Sequence, residues 1–147
     1  FAAEHSEISL EALEKQGADE YKRITRDFLQ KDGGSERIAT LRKEMHQVME
    51  QSVDIFRSES GLKEACNKIE ELKDRFSSIL IEDKSLNFNT ELTSALELEN
   101  MIDVAESIIF SALSRRESRG SHQRTDFVNR DDENFLRHSL AYRTEAE

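Results

Sequence analysis

The chain has 147 residues, with 31 acidic against 21 basic side chains for a net charge of −10, and 36% of its residues are hydrophobic. That length suits one domain, since domains run to roughly 100–200 residues. The charge excludes a phosphate-neutralising nucleic-acid surface and a basic membrane clamp, both of which need clustered Lys and Arg. No apolar run approaches the ~20 residues of a membrane span, and no signal-like segment opens the chain. A single cysteine, Cys66, forms no internal disulfide and points to a reducing compartment. Proline is absent and glycine occurs at only five positions, as expected of long uninterrupted helices. The chain opens on Phe1 rather than Met, which suggests a piece of something longer.

Residues 1–18 are weakly patterned and read as a linker or a frayed helix. A helix is expected from Asp19, with Tyr21, Ile24, Phe28 and Leu29 on its apolar side, stopping at Asp32-Gly33-Gly34. Ser35 is placed to cap the next helix. There Ile38, Leu41, Met45, Val48, Ser52 and Ile55 follow steps of 3, 4, 3, 4, 3, a heptad seam. Ser58 or Ser60 can cap the helix after that, where Leu62, Ala65, Ile69, Leu72, Phe76 and Ile79 repeat the same steps. Asn89 is a natural cap for a third long helix over 90–116, about 40 Å at ~1.5 Å per residue. Its second half carries Met101, Ile102, Val104, Ala105, Ile108, Ile109 and Phe110 around more than one face, so neighbours beyond its two bundle partners are expected to cover it. Exposed Ile109 and Phe110 would form an apolar patch of the kind that marks an interface.

Residues 115–147 differ in character: all seven of their cationic residues are Arg, balanced by seven acids. Arg presents a rigid fork for carboxylates, so fixed contacts are expected here rather than a merely solvated surface. Asp131-Asp132-Glu133 reads as the acidic first turn of a short helix reaching His138. The fold predicted is all-α: a left-handed, antiparallel three-helix bundle of the spectrin-repeat kind over 19–147, with an extra N-terminal helical segment and an irregular Arg-rich tail.

Several segments carry a resemblance. The run from Ser114 through Arg115-Arg116-Glu117-Ser118-Arg119-Gly120-Ser121-His122-Gln123-Arg124, followed by Asp126 and Arg130-Asp131-Asp132-Glu133-Asn134-Phe135, resembles the C-terminal helical domain of fumarate reductase and succinate dehydrogenase flavoprotein subunits. The Arg-Glu-Ser-Arg-Gly core is shared by L-aspartate oxidase and adenylylsulfate reductase. Arg130–Asn134, the 138–143 run, Phe88-Asn89-Thr90-Glu91-Leu92 and Asp103-Val104-Ala105-Glu106 are narrower, and His122-Gln123-Arg124 looks closer to the quinol:fumarate reductases. Val128 and Phe135 depart from the proline and tryptophan many relatives carry there.

The resemblance implies a parent oxidoreductase that carries FAD upstream and reduces fumarate with quinol electrons delivered through an iron–sulfur subunit. It implies a parent peripheral on the cytoplasmic face of a bacterial inner membrane, with no direct membrane contact by this domain. No Gly-x-Gly-x-x-Gly occurs in the chain. The domain is accordingly expected to bind no cofactor and to have a structural, docking role towards its own flavin domain and the iron–sulfur subunit. Arg116, Glu117, Arg119, Gly120, His122, Arg124, Asp126, Arg130, Asp131, Asp132 and Asn134 are the candidate residues for that role, with Gly120 and the arginines also suited to closing the third helix. Succinate dehydrogenase and L-aspartate oxidase are alternatives within the superfamily, and a free-standing helical interaction module is the alternative outside it. His5, His46, His122 and His138 show no zinc-like spacing, and Cys66 reads as a buried thiol rather than a nucleophile.

Overall fold

The computed structural model describes residues 9–142. The first helix, α1 (Leu10–Ile24), begins well before Asp19, so 10–18 are helical; residues 1–8 lie outside the described part. Its start has a local cause, since Ser9 Oγ accepts from the Ala12 amide at 3.1 Å and Glu11 sits in the first turn. α1 buries no residue of its own. It runs into a π-helical turn, Thr25–Leu29, which brings Phe28 and Leu29 into the core and sets the Phe28 ring edge-on to Phe76, 6.1 Å between centroids.

Three helices form the body: α2 (Ile38–Ser52), α3 (Glu59–Phe76) and α4 (Thr90–Ser114). The all-α expectation holds, and both seams point inward. Leu41, Leu62, Ala65, Ala95, Leu98 and Ile109 are wholly buried, with Met45, Ile69, Leu72 and Ile102 nearly so. Burying a large aliphatic side chain contributes about 1.5–3 kcal/mol, so this seam outweighs every surface contact below. Arg75 on α3 reinforces it, donating to Glu36 at 2.9 and 3.0 Å and to Glu44 at 2.6 and 3.1 Å.

Five local expectations are corrected. Ser35 does not cap α2; its amide and that of Glu36 donate to Ser78 O at 3.1 and 3.2 Å. The backbone of Gly34 packs so closely that a Cβ there would lie 2.3 Å from Ile79 O, which draws the segment into extended pairing instead. The first seam stops at Ser52, leaving Ile55 outside the helix and exposed. The second helix ends at Phe76, yet Ile79 is buried from the following turn. α4 ends two residues early, and Ile109 faces the core while Val104, Ile108 and Phe110 are exposed. The caps at Ser58 and Asn89 form as expected, accepting from Gly61 N at 3.1 Å and Leu92 N at 2.7 Å. No helix among the described residues is long and apolar enough to cross a membrane.

Candidate functional site

Two helix ends meet near the base of the bundle. α4 stops at Ser114 with unpaired carbonyls and the negative end of its dipole, while α3 starts at Glu59 with free amides and the positive end. The Arg-rich tail serves both. Arg124, 1% exposed, donates through Nη1 to Ala112 O, Leu113 O and Arg115 O at 3.2, 3.4 and 3.3 Å. Its other two nitrogens form a fork on Asp126, at 2.7 and 2.8 Å. Asp126 Oδ2 in turn accepts from the Glu59 amide at 2.8 Å. The cation thus sits at the helix end that favours positive charge and the anion at the end that favours negative charge. The Phe127 ring lies under the guanidinium, 4.9 Å from its centroid.

Short parallel strands hold this pair in register. β1 (Phe56–Arg57) pairs with β2 (Gln123–Arg124), with Gln123 N donating to Ile55 O at 3.0 Å and Thr125 N to Arg57 O at 2.8 Å. Ser118 Oγ accepts from Arg124 N at 2.8 Å and donates to Phe127 O at 2.9 Å, closing the loop from inside.

A second node is the fully buried Glu117. It accepts from Arg115 at 2.6 Å, from Arg119 at 2.8 and 3.0 Å, and from Asp131 N at 2.8 Å. The Arg119 bond, foremost, outweighs desolvation and holds its carboxyl at about 2. Asp132 is likewise held at about 2, by Arg130 first and Arg119 second. Asp126 is held well below the ordinary range by its bond to Arg124. His122 accepts at Nδ1 from Arg57 Nη1, 2.7 Å away, so its proton sits on Nε2 and is donated to Arg115 O at 3.0 Å. Burial lowers the pKa of His122 first; the bond to Arg115 O opposes this, and the nearby Arg57, Arg124 and Arg115 charges push it down further.

The structure therefore joins Glu117, Arg119, Asp131 and Asp132 in one network and Arg124 with Asp126 in another. His122 touches both through Arg115. Among the described residues Arg130 reaches only Asp132, and Asn134 only Asp131, which caps the short α5 (Asp132–Phe135) through the Asn134 amide at 3.0 Å. That helix stops at Phe135 rather than His138. Arg116 is exposed, and its charge, after that of Lys63, helps to lower the pKa of Glu59. Gly120 does not cap α4; its φ of +58° serves a tight turn in which Arg119 and His122 exchange backbone bonds at 2.8 and 3.0 Å. Arg57 and Glu59 belong to the site and were not foreseen, because they lie more than sixty residues from their partners and no local spacing announces such a pairing, whereas Arg115 and Ser118 join it from within the run singled out in the sequence. Cys66 is half-buried rather than buried, its thiol pushed up by burial and then by Glu106 and Glu70. Among the described residues no group of three His, Cys, Asp or Glu is arranged to hold a metal.

Residues 42–147 match the family described as the C-terminal part of the fumarate reductase flavoprotein. The chain belongs to that family. It is 46% identical over 132 residues to a fumarate reductase flavoprotein subunit of Mycobacterium tuberculosis, covering 90% of this chain and 23% of that protein. It is 42% identical over 134 residues to the Escherichia coli fumarate reductase flavoprotein subunit (90% and 22%) and 36% identical over 141 residues to a succinate dehydrogenase flavoprotein subunit of Rickettsia bellii (95% and 22%). The chain thus spans under a quarter of these relatives' lengths. In structure it superposes on an FrdA variant of E. coli quinol fumarate reductase with a TM-score of 0.88 at 38% identity, covering 97% of this chain and 24% of that one. Against the Mycobacterium smegmatis Sdh1 complex the TM-score is 0.71 at 32% identity, covering 80% and 20%. The contacts that tie α3 to α4 therefore lie in a chain of a flavoprotein family.

Proposed function

We propose that the chain is the C-terminal helical domain of a fumarate reductase flavoprotein subunit and that its own work is structural. The parent reduces fumarate to succinate with electrons from quinol, passed through an iron–sulfur subunit and FAD. It sits peripherally on the cytoplasmic face of a bacterial inner membrane, attached by other subunits. The observation that carries this reading is the tail: an irregular, polar segment anchored by buried charge to two helix ends, beside an α4 that leaves Val104 and Ile108 exposed on one flank and Phe110 on another. A rigid frame beside apolar side chains left exposed on two flanks of α4 suits docking onto the flavin domain and the iron–sulfur subunit. Arg119, Arg130 and Arg116, which retain exposed surface, are the tail's charged candidates for outward contact, whereas Arg124 is enclosed by its own chain.

FAD does not fit the residues present. The five glycines never fall as Gly-x-Gly-x-x-Gly, and the described strands are two residues long, so no strand–turn–helix cradle for a pyrophosphate exists among them. No chemical step is assigned to this chain. Fumarate reductase is favoured over succinate dehydrogenase by the higher identities to proteins of that name, 46% and 42% against 36%. A solved relative described as quinol-fumarate reductase with menaquinol molecules supports quinol as the electron source. The test is to purify the 147-residue chain and the full-length flavoprotein side by side. The short chain is expected to lack flavin absorbance and turnover, and the long one to show both with fumarate and a reduced dye. Flavin retained by the short chain, or an inactive flavin-free long one, contradicts the proposal.

A further inference from the structure

Among the described residues Phe88 combines a positive backbone φ with full exposure to solvent. Its φ is +53°, the left-handed region that a bulky L-residue enters only at a cost in free energy. Its side chain is 100% exposed, and Leu86, two residues earlier, is 59% exposed. Backbone and solvent thus both oppose an aromatic at this position.

The segment around it is not loose. Asn89, buried at the start of α4, donates through Nδ2 to Asp83 O at 2.7 Å and Ser85 O at 2.9 Å while capping Leu92 N. Glu91 Oε2 accepts from the amides of Glu82 and Asp83 at 2.8 and 3.0 Å, and Asp83 Oδ1 accepts from Ser85 N at 2.9 Å. Lys84 turns its ammonium inward, onto Lys31 O at 2.8 Å and Phe28 O at 3.4 Å. The ordering that an interface usually demands on binding is already complete here, and the acids around it are already engaged, Glu82 by Arg37 at 2.8 Å.

We infer that Phe88, supported by Leu86, is an aromatic anchor that inserts into an apolar pocket on the upstream, flavin-bearing part of the same polypeptide. This rests on the function proposed above. Rigid aromatic side chains filling a partner's pocket carry a disproportionate share of interface energy. The upstream part is the chosen occupant because this domain makes up only 22–23% of its sequence relatives named above. A covalently joined partner is also present at high effective concentration, so one strained anchor suffices.

The experiment compares Phe88→Gly in two settings. In the 147-residue chain the variant keeps or raises the melting temperature, because glycine adopts positive φ freely. In the full-length flavoprotein the same variant lowers the melting temperature by several degrees and speeds tryptic cleavage at the junction severalfold. Phe88→Leu, which keeps apolar bulk, loses less than half as much. An unchanged full-length variant overturns the inference, and so does destabilisation of the short chain, which would place the value of Phe88 inside this domain. A loss seen only when the iron–sulfur subunit is bound, or dimers of the short chain abolished by the substitution, assigns the anchor to a different occupant and overturns it equally. Wild-type full-length protein without flavin or fumarate turnover would instead sink the underlying functional proposal, and that is read before any variant is compared.

Discussion

The helical body and the Arg-rich tail are held by opposite physics. In the body, residues such as Leu41, Leu62, Leu98 and Ile109 lose all contact with water, and the carboxylates that bind Arg75 lie at its margin. In the tail, the wholly buried side chains are Arg124 and Glu117, while Val128, Leu136 and Leu140 are exposed and Phe127 and Phe135 are only half-buried, against arginines. Burial of apolar area is indifferent to pH and direction. Buried charge is worth having only when each hydrogen bond is made, because breaking one partner strands the other without solvent. The body can therefore fold on pattern alone, whereas the tail must find a few specific atoms on helix ends that already exist.

That contrast breaks most visibly in the body. Leu98→Ala should lower unfolding free energy by about 2–5 kcal/mol, loosening body and tail together in one urea transition. Next in size, Arg124→Met should weaken tail docking by about 2–3 kcal/mol while leaving the helical circular dichroism intact. Arg124→Lys should recover only part of this, since an ammonium cannot grip Asp126 with a fork.

Acid sharpens the comparison. Glu117 and Asp132 are held at about 2 when folded, against ordinary values of 4.5 and 3.8. The unfolded chain therefore binds more protons in that window, and their stabilisation is complete above about pH 4.5 and falls as pH drops towards 2. Between pH 5 and 2.5 the tail amides should lose exchange protection before those of α3 and α4. The smallest effect expected is at His122. Its lowered pKa means that it stabilises the fold as a neutral base above its ordinary ~6.5, and less as pH falls below that. His122→Asn should cost about 1 kcal/mol at pH 7.5, shrinking towards pH 5 in parallel denaturation curves.

Much of the body was legible in the sequence. The two seams, the Ser58 and Asn89 caps and the all-α class follow from spacing and capping chemistry, which act over three or four residues. The misreadings share one cause. Ser35 had every local qualification for a cap, but the backbone approach of Gly34 to Ile79 overrode it. Gly120 looked like a helix terminator, yet Arg124 takes over α4 carbonyls from eleven and twelve residues downstream and frees the glycine for another turn. The candidate site was visible as residue types, since an Arg-only tail beside paired acids announces fixed contacts. Its partners Arg57 and Glu59 were not visible, because their pairing is set by where α2 and α3 bring the chain.

The most direct test is native-state hydrogen exchange at the Gln123 and Thr125 amides, which donate to Ile55 O and Arg57 O, in wild-type chain and in Arg124→Met. If buried charge alone docks the tail, the variant loses protection at these two amides while Leu98 and Ile102 on α4 keep theirs. Equal protection in both proteins, or a loss that spreads equally through α4, would contradict it.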